Sequence, residues 1–254
     1  MKPDNIFVVR HGQSQGNVDR EIYKTIPDYA VQLTDKGMGQ AVEAGKQISS
    51  IIGDSTIQFY VSPFWRTRQT YLGIRESFPS LERCKYYEDP RLREQEWTQL
   101  FESRMGYADV ENERDGYGHF YYRFKNGESC ADVYDRMSGF MGTMFRDFEK
   151  KDFPRNVVIV THGMTMRLFL MRWFHTSVEE FESWGNPWNG TFFHLARQDY
   201  EPSKHKYEKI FSPKYKLLTP LKLHELKHNW QFPFNDNKFL TFPHVLPYVK
   251  KEEC

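Results

Sequence analysis

Apolar residues are spaced in two distinct ways along the first two hundred positions. Ile6 to Val9 form an unbroken apolar run inside Asn5 to Arg10. So short a run, apolar on both faces, predicts a central strand covered by helices on each side. Gln58 to Ser62 predicts a second strand, and Lys85 to Glu88 a short third one, stopped by Asp89-Pro90. Val157 to Thr161 and Thr191 to Leu195 predict two more. Between these runs the apolar period lengthens to that of a helix. Met38, Ala41, Gly45, Ile48 and Ile52 mark a helix that opens near Thr34, a suitable N-cap. Ser62-Pro63 supplies an N-cap and a first-turn proline for a helix carrying Arg66 and Thr70. Ser129 to Asp132 starts a long helix whose stripe of Val133, Met137, Phe140, Met144 and Phe148 reads as core. Met164 to Phe174 reads as a buried helix. Strands alternating with helices predict an α/β fold, a three-layer sandwich with a mainly parallel central sheet flanked by helices.

Two stretches depart from this alternation. Residues 97 to 127 hold eight aromatic residues among many charges without a clean period, and read as a small cap insertion. From about Tyr200, prolines at 202, 213, 220, 233, 243 and 247 exclude one regular element. The expected organisation is a domain over residues 1–199, with the cap at about 97–127, and a Pro/aromatic-rich extension over 200–254. The extension is expected to drape its aromatics over the domain. The net charge of +1, from 35 basic and 34 acidic residues, gives no global pull toward nucleic acid or a membrane surface. No apolar stretch reaches the length of a bilayer span. Three cysteines with no metal-binding spacing, and no basic-then-apolar leader, make a soluble cytoplasmic protein the expectation. Nothing in the pattern fixes an oligomeric state.

Ligands of an open parallel sheet sit beyond the carboxyl ends of its strands. Three predicted strands deliver polar residues there. The first delivers Arg10, His11 and Asn17, the second Ser62 and Arg66, and the fourth His162 followed by Gly163. A phosphoryl group carries about two negative charges near neutral pH, and guanidinium forks match its oxygens. Arg10 and Arg66 are candidates for that contact, with Asn17 as an amide donor and the helix start at Gly163 as a source of backbone amides. Gly12 and Gly16 permit close backbone approach. An imidazole can act as nucleophile and carry the phosphoryl group. His11, in its tight loop, takes that role, and His162 that of a donor to the transition state. The leaving oxygen needs a proton. Glu94 is the candidate acid, with Glu96 and Glu102 as weaker ones.

Arg10-His11-Gly12-x-Ser14-x-x-Asn17 resembles the signature of the histidine phosphatase superfamily, the phosphoglycerate-mutase-like family. Leu33-Thr34-x-x-Gly37-x-x-Gln40-Ala41, Ser62-Pro63-x-x-Arg66-Thr67-x-Gln69-Thr70, Leu92-x-Glu94, Gly127-Glu128-Ser129 and Thr161-His162-Gly163 are similar to its later segments, in the family's order. The resemblance implies a phosphohistidine at His11, a proton donor at Glu94, and phosphate held by Arg10, Asn17, Arg66 and His162. It implies no metal and no cofactor, and a small phosphorylated substrate. Gln13 stands where the family often has Glu. The short stretch between Glu94 and His162 favours the phosphatase branch, a metal-independent phosphomonoester hydrolase, over mutase-like phosphoryl transfer.

Two other readings compete. His224-Glu225-Leu226-Lys227-His228 matches His-Glu-x-x-His, which on a helix would suit a zinc hydrolase. It lies between Pro220 and Pro233, with no third ligand in a recognisable pattern. A non-catalytic phosphate-binding member is the other reading, but His11, Arg66, Glu94 and His162 are all present. His119, His175, His194, His205 and His244 read as structural or exposed.

Overall fold

The computed structural model describes residues 2–97, 107–197 and 215–217. Six strands form one sheet: β1 (Asn5–Arg10), β2 (Ile57–Val61), β3 (Cys84–Glu88), β4 (Asn156–Thr161), β5 (Phe192–Arg197) and β6 (Tyr215–Leu217). Their order is β3-β2-β4-β1-β5-β6. The pairs β1–β4, β2–β4 and β2–β3 are parallel, whereas β1–β5 and β5–β6 are antiparallel. The helices are α1 (Gln15–Val18), α2 (Asp35–Ile52), α3 (Trp65–Arg75), α4 (Tyr107–Tyr117), α5 (Cys130–Asp147), α6 (Gly163–Phe174) and α7 (Val178–Glu182).

The sheet is buried on both faces, as continuous apolar strands require. Ile6, Val8, Val157 and Ile159 pack with Met137, Phe140 and Met144 of α5 and Leu168 of α6. Their neighbours Phe7, Val9, Val158 and Val160 face the other way, onto Ala44, Ile48 and Ile52 of α2 and Ile74 of α3. The stripe expected on α5 is thus core, and the helix starts as read. Ser129 accepts from the Asp132 amide while the Asp132 carboxylate accepts from the Ser129 amide. Thr34 caps α2 by accepting from the Gly37 amide.

One expectation is corrected. Helix α3 starts at Trp65 with Phe64 as its N-cap, so Ser62 does not cap it. Its hydroxyl faces His162 instead. The region beyond 199 also contributes a strand, because Tyr215–Leu217 pairs with β5 in register from Leu195↔Leu217 to Arg197↔Tyr215. Within the expected cap segment, α4 and the turn after it form a small core of Val110, Tyr122 and Phe124, with Trp97 against it.

Candidate active site

Strands β2, β4 and β1 are consecutive in the sheet, so their carboxyl ends bring Ser62, His162 and His11 side by side. The loop after β1 is pressed against the start of α2. A Cβ on Gly12 would lie 2.1 Å from the Gly37 carbonyl oxygen, and one on Gly37 would lie 2.0 Å from that of Gln13. Only glycine fits at either position, and the contact fixes the loop carrying His11. Thr70 of α3 completes the anchor, accepting from the Gly12 amide at 3.0 Å and donating to the Arg66 carbonyl at 2.7 Å.

His11 and His162 are buried, with ring centroids 5.2 Å apart. His11 Nδ1 lies 2.7 Å from the Gly12 carbonyl. A carbonyl oxygen only accepts, so Nδ1 carries the proton and Nε2 is left with its lone pair. Burial pushes the His11 pKa well below its ordinary value, and Arg66 and Arg10 push it further in the same direction. The imidazole is therefore neutral at physiological pH. Burial does the same at His162, with Arg66 next in effect. His162 Nε2 is 2.8 Å from Ser62 Oγ, and its Nδ1 is buried without a partner among the described residues.

A cavity of about 360 Å³ opens in front of His11, lined also by Arg10, Asn17, Arg66 and Glu94 among others. Arg10 donates from Nη1 to the Pro187 carbonyl, while its buried Nε has no partner. Arg66 donates from Nη1 to both the carbonyl and Oδ1 of Asp28, at 2.7 and 2.8 Å. One edge of its fork is thereby fixed. Asn17 Oδ1 accepts from the Ser14 amide and from Asn189 Nδ2, so the Nδ2 end of Asn17 is the one turned to other partners.

Glu94 is held at the amino end of α6, whose positive pole suits a carboxylate. Its oxygens accept from the Met164 and Thr165 amides, each at 3.3 Å, and from Thr165 Oγ1 at 3.2 Å. The turn that presents it is gathered by Arg136 of α5, which donates to the carbonyls of Arg91, Arg93 and Glu94 and pairs with Glu128. The helix-start amides at 164 and 165 therefore serve Glu94. Gly163 leaves room for two side chains, since a Cβ there would lie 3.2 Å from Asn186 Oδ1 and 3.3 Å from Arg10 Nε.

Arg10, His11, Asn17, Arg66 and Glu94 thus line one cavity, whereas His162 is fully buried behind it, against the ring of His11, with Gly163 next to it in the chain. Other contributors went unread: Ser62 as the partner of His162, Asp28 as that of Arg66, and the lining residues Tyr23, Arg114, Arg167 and Asn186. Arg167 had a signal, being a charge inside an apolar helix. His119 is half-buried, 2.5 Å from Asp115, and lines the same cavity. Glu102 and His224-Glu225-Leu226-Lys227-His228 lie outside the described residues.

A buried imidazole lies here beside guanidinium groups and a fixed carboxylate, a set of groups suited to a phosphoryl oxyanion. The sequence matches the family model of the histidine phosphatase superfamily (branch 1) over residues 6–209, and the chain belongs to that superfamily. Phosphoglycerate mutase-like protein AT74 of Arabidopsis thaliana is 41% identical over 207 residues, which cover 74% of this chain and 65% of that protein, just under two thirds. Broad-range acid phosphatase DET1 of Saccharomyces cerevisiae is 29% identical over 282 residues, covering 75% of this chain and 84% of that protein. The structure of a mycobacterial glucosyl-3-phosphoglycerate phosphatase shares the fold, with a TM-score of 0.62 and 18% identity over 84% of this chain and 96% of that one. Among the described residues, no helix is long and apolar enough to cross a membrane.

Proposed function

We propose that this chain hydrolyses a small phosphomonoester through a phosphohistidine on His11, without a metal. The observation that carries this reading is the tautomer of His11: its Nδ1 proton is committed to the Gly12 carbonyl, leaving Nε2 as a neutral nucleophile in the cavity. The Nε2 lone pair attacks phosphorus as the ester P–O bond breaks, and protonated Glu94 gives its proton to the leaving oxygen. Water then attacks the phosphohistidine, the P–N bond breaks, and the Glu94 carboxylate takes the water proton. Arg10, Arg66 and the Nδ2 group of Asn17 hold the phosphoryl oxygens. Donation from Ser62 to His162 Nε2 would leave Nδ1–H of His162, otherwise partnerless, to stabilise the transition state. Gly163 contributes by letting Arg10 come close. The reading assigns catalysis to residues 1–199 with the 97–127 cap, and leaves 200–254 as an extension. The free thiols Cys84 and Cys130 suit a cytoplasmic setting.

The test is labelling with a phosphorus-32 ester in the presence of a chelator. Acid-labile, base-stable label should appear on the wild type and be absent from His11→Ala. Label retained in that variant would move the nucleophile elsewhere. Activity lost to chelation and restored by zinc would return the His224/His228 reading.

A further inference from the structure

Arginine side chains buried in this protein fall into two groups. Arg66 and Arg136 are paired with carboxylates and carbonyls. Arg114 of α4 and Arg167 of α6 have no carboxylate partner among the described residues, and Arg167 reaches a single carbonyl. They are 5% and 2% exposed, line the cavity, and have buried Nε atoms without a partner. Arg114 has no hydrogen-bond partner among the described residues and rests against the adjoining rings of Trp97, at 5.0 Å, and Phe124, at 5.7 Å. Arg167 uses Nη2 on the Phe181 carbonyl and lies 4.6 Å from that ring. Neither forms an ion pair with a carboxylate among the described residues, although Glu111 and Asp115 line the same wall. A buried guanidinium left this way is costly unless a ligand completes it. Stacking on aromatic faces holds each group in place without using its N–H donors.

We propose that Arg114 and Arg167 form a second anion-binding subsite, so that the substrate of the proposed hydrolase carries another anionic group, a carboxylate or a further phosphate, besides the phosphoryl group it loses. Glu94 lines the same cavity as Arg10, His11, Arg114 and Arg167, so one substrate can reach both subsites. Two planar forks suit a carboxylate or phosphate equally. The buried Asn186 Oδ1, also without a partner, would accept from a substrate hydroxyl or amine nearby.

The inference rests on the hydrolase reading, and its test separates the two. Propyl phosphate is compared with the three-carbon esters that end in a carboxylate or in a second phosphate. Wild-type kcat/KM should be at least about tenfold higher for a charged ester, the ratio expected from one or two charge-assisted hydrogen bonds. That ratio should fall about tenfold in Arg114→Gln and in Arg167→Gln. The ester that gains most identifies the anion. Equal kcat/KM for all three esters, or a ratio changed less than about twofold in both variants, would overturn the subsite. Should Arg167→Gln fail to fold, Arg114→Gln and the wild-type ratio decide. Calorimetric binding to His11→Ala reads the subsite without turnover. Preference for charged esters there, with no hydrolysis by the wild type, would sink the hydrolase reading and keep the subsite. Equal binding of neutral and charged esters would sink the subsite alone.

Discussion

One wall of the cavity is made from strand ends, the other from helix interiors and the cap. On the first, His11 lines the cavity with Ser62 and His162 buried behind it, the three leaving adjacent strands, and the loop of His11 is locked by the close contact of Gly12 with Gly37. On the second, Arg114 and Arg167 are placed by ring stacking and keep unused donors. The difference separates two tasks. Chemistry common to every phosphate ester needs fixed geometry, whereas recognition of the rest of the substrate needs donors held in reserve for it.

The sharpest break of this contrast is at the nucleophile. His11→Ala should lower kcat for every ester by ~10³-fold or more, since no other group supplies the attacking nitrogen. A variant that loses one ester and keeps another would erase the division of tasks. Glu94→Gln should slow alkyl esters by ~10²- to 10⁴-fold and aryl esters far less, because phenolates leave without a proton. Equal losses on both would remove Glu94 from the acid role. Ser62→Ala should lower kcat about tenfold with a smaller change in KM, since it frees His162 to rotate. An unchanged kcat would show that His162 is held by its backbone alone.

The smallest effect concerns acid stability, and it sharpens the comparison because histidines on both walls contribute. His11 and His162 have pKa values well below 6.5 in the folded protein, and burial lowers that of His119 to about 4. The unfolded chain takes up these protons near pH ~6.5 while the folded one does not. Stability is therefore full above about pH 6.5 and declines as pH falls toward the folded values. Urea midpoints should drop between pH 7 and pH 5, and less so in His119→Asn. The same shift keeps His11 unprotonated at pH 6, so kcat/KM should hold there where an ordinary imidazole would be largely charged. A midpoint that does not move with pH would mean that these rings are protonated inside the fold.

The strand-end wall was legible because its residues follow directly from where apolar runs stop. Arg10, His11, Arg66, His162 and Glu94 could all be placed at one edge before any coordinates. The cap-side wall was not, for physical reasons. Arg114 sits on a helix of weak amphipathic pattern whose apolar contacts are made across space, with Trp97 and Phe124. Arg167 lies in a helix buried all round, where spacing does not distinguish a lining position from a core one. Strand β6 is three residues long and exists through pairing with β5, which local propensity does not encode. The offset start of α3 has a similar origin, since Ser62 is drawn to His162 by a contact one hundred positions away.

Glu94 is fastened to the first amides of α6, and His162 is the residue that caps that same helix. The proton donor and the transition-state donor of the proposed mechanism are in effect mounted on a single rod, so a tilt of α6 carries both together and preserves their spacing. Adaptation to a new ester is then free to remodel the facing side of the chamber without retuning the reaction itself.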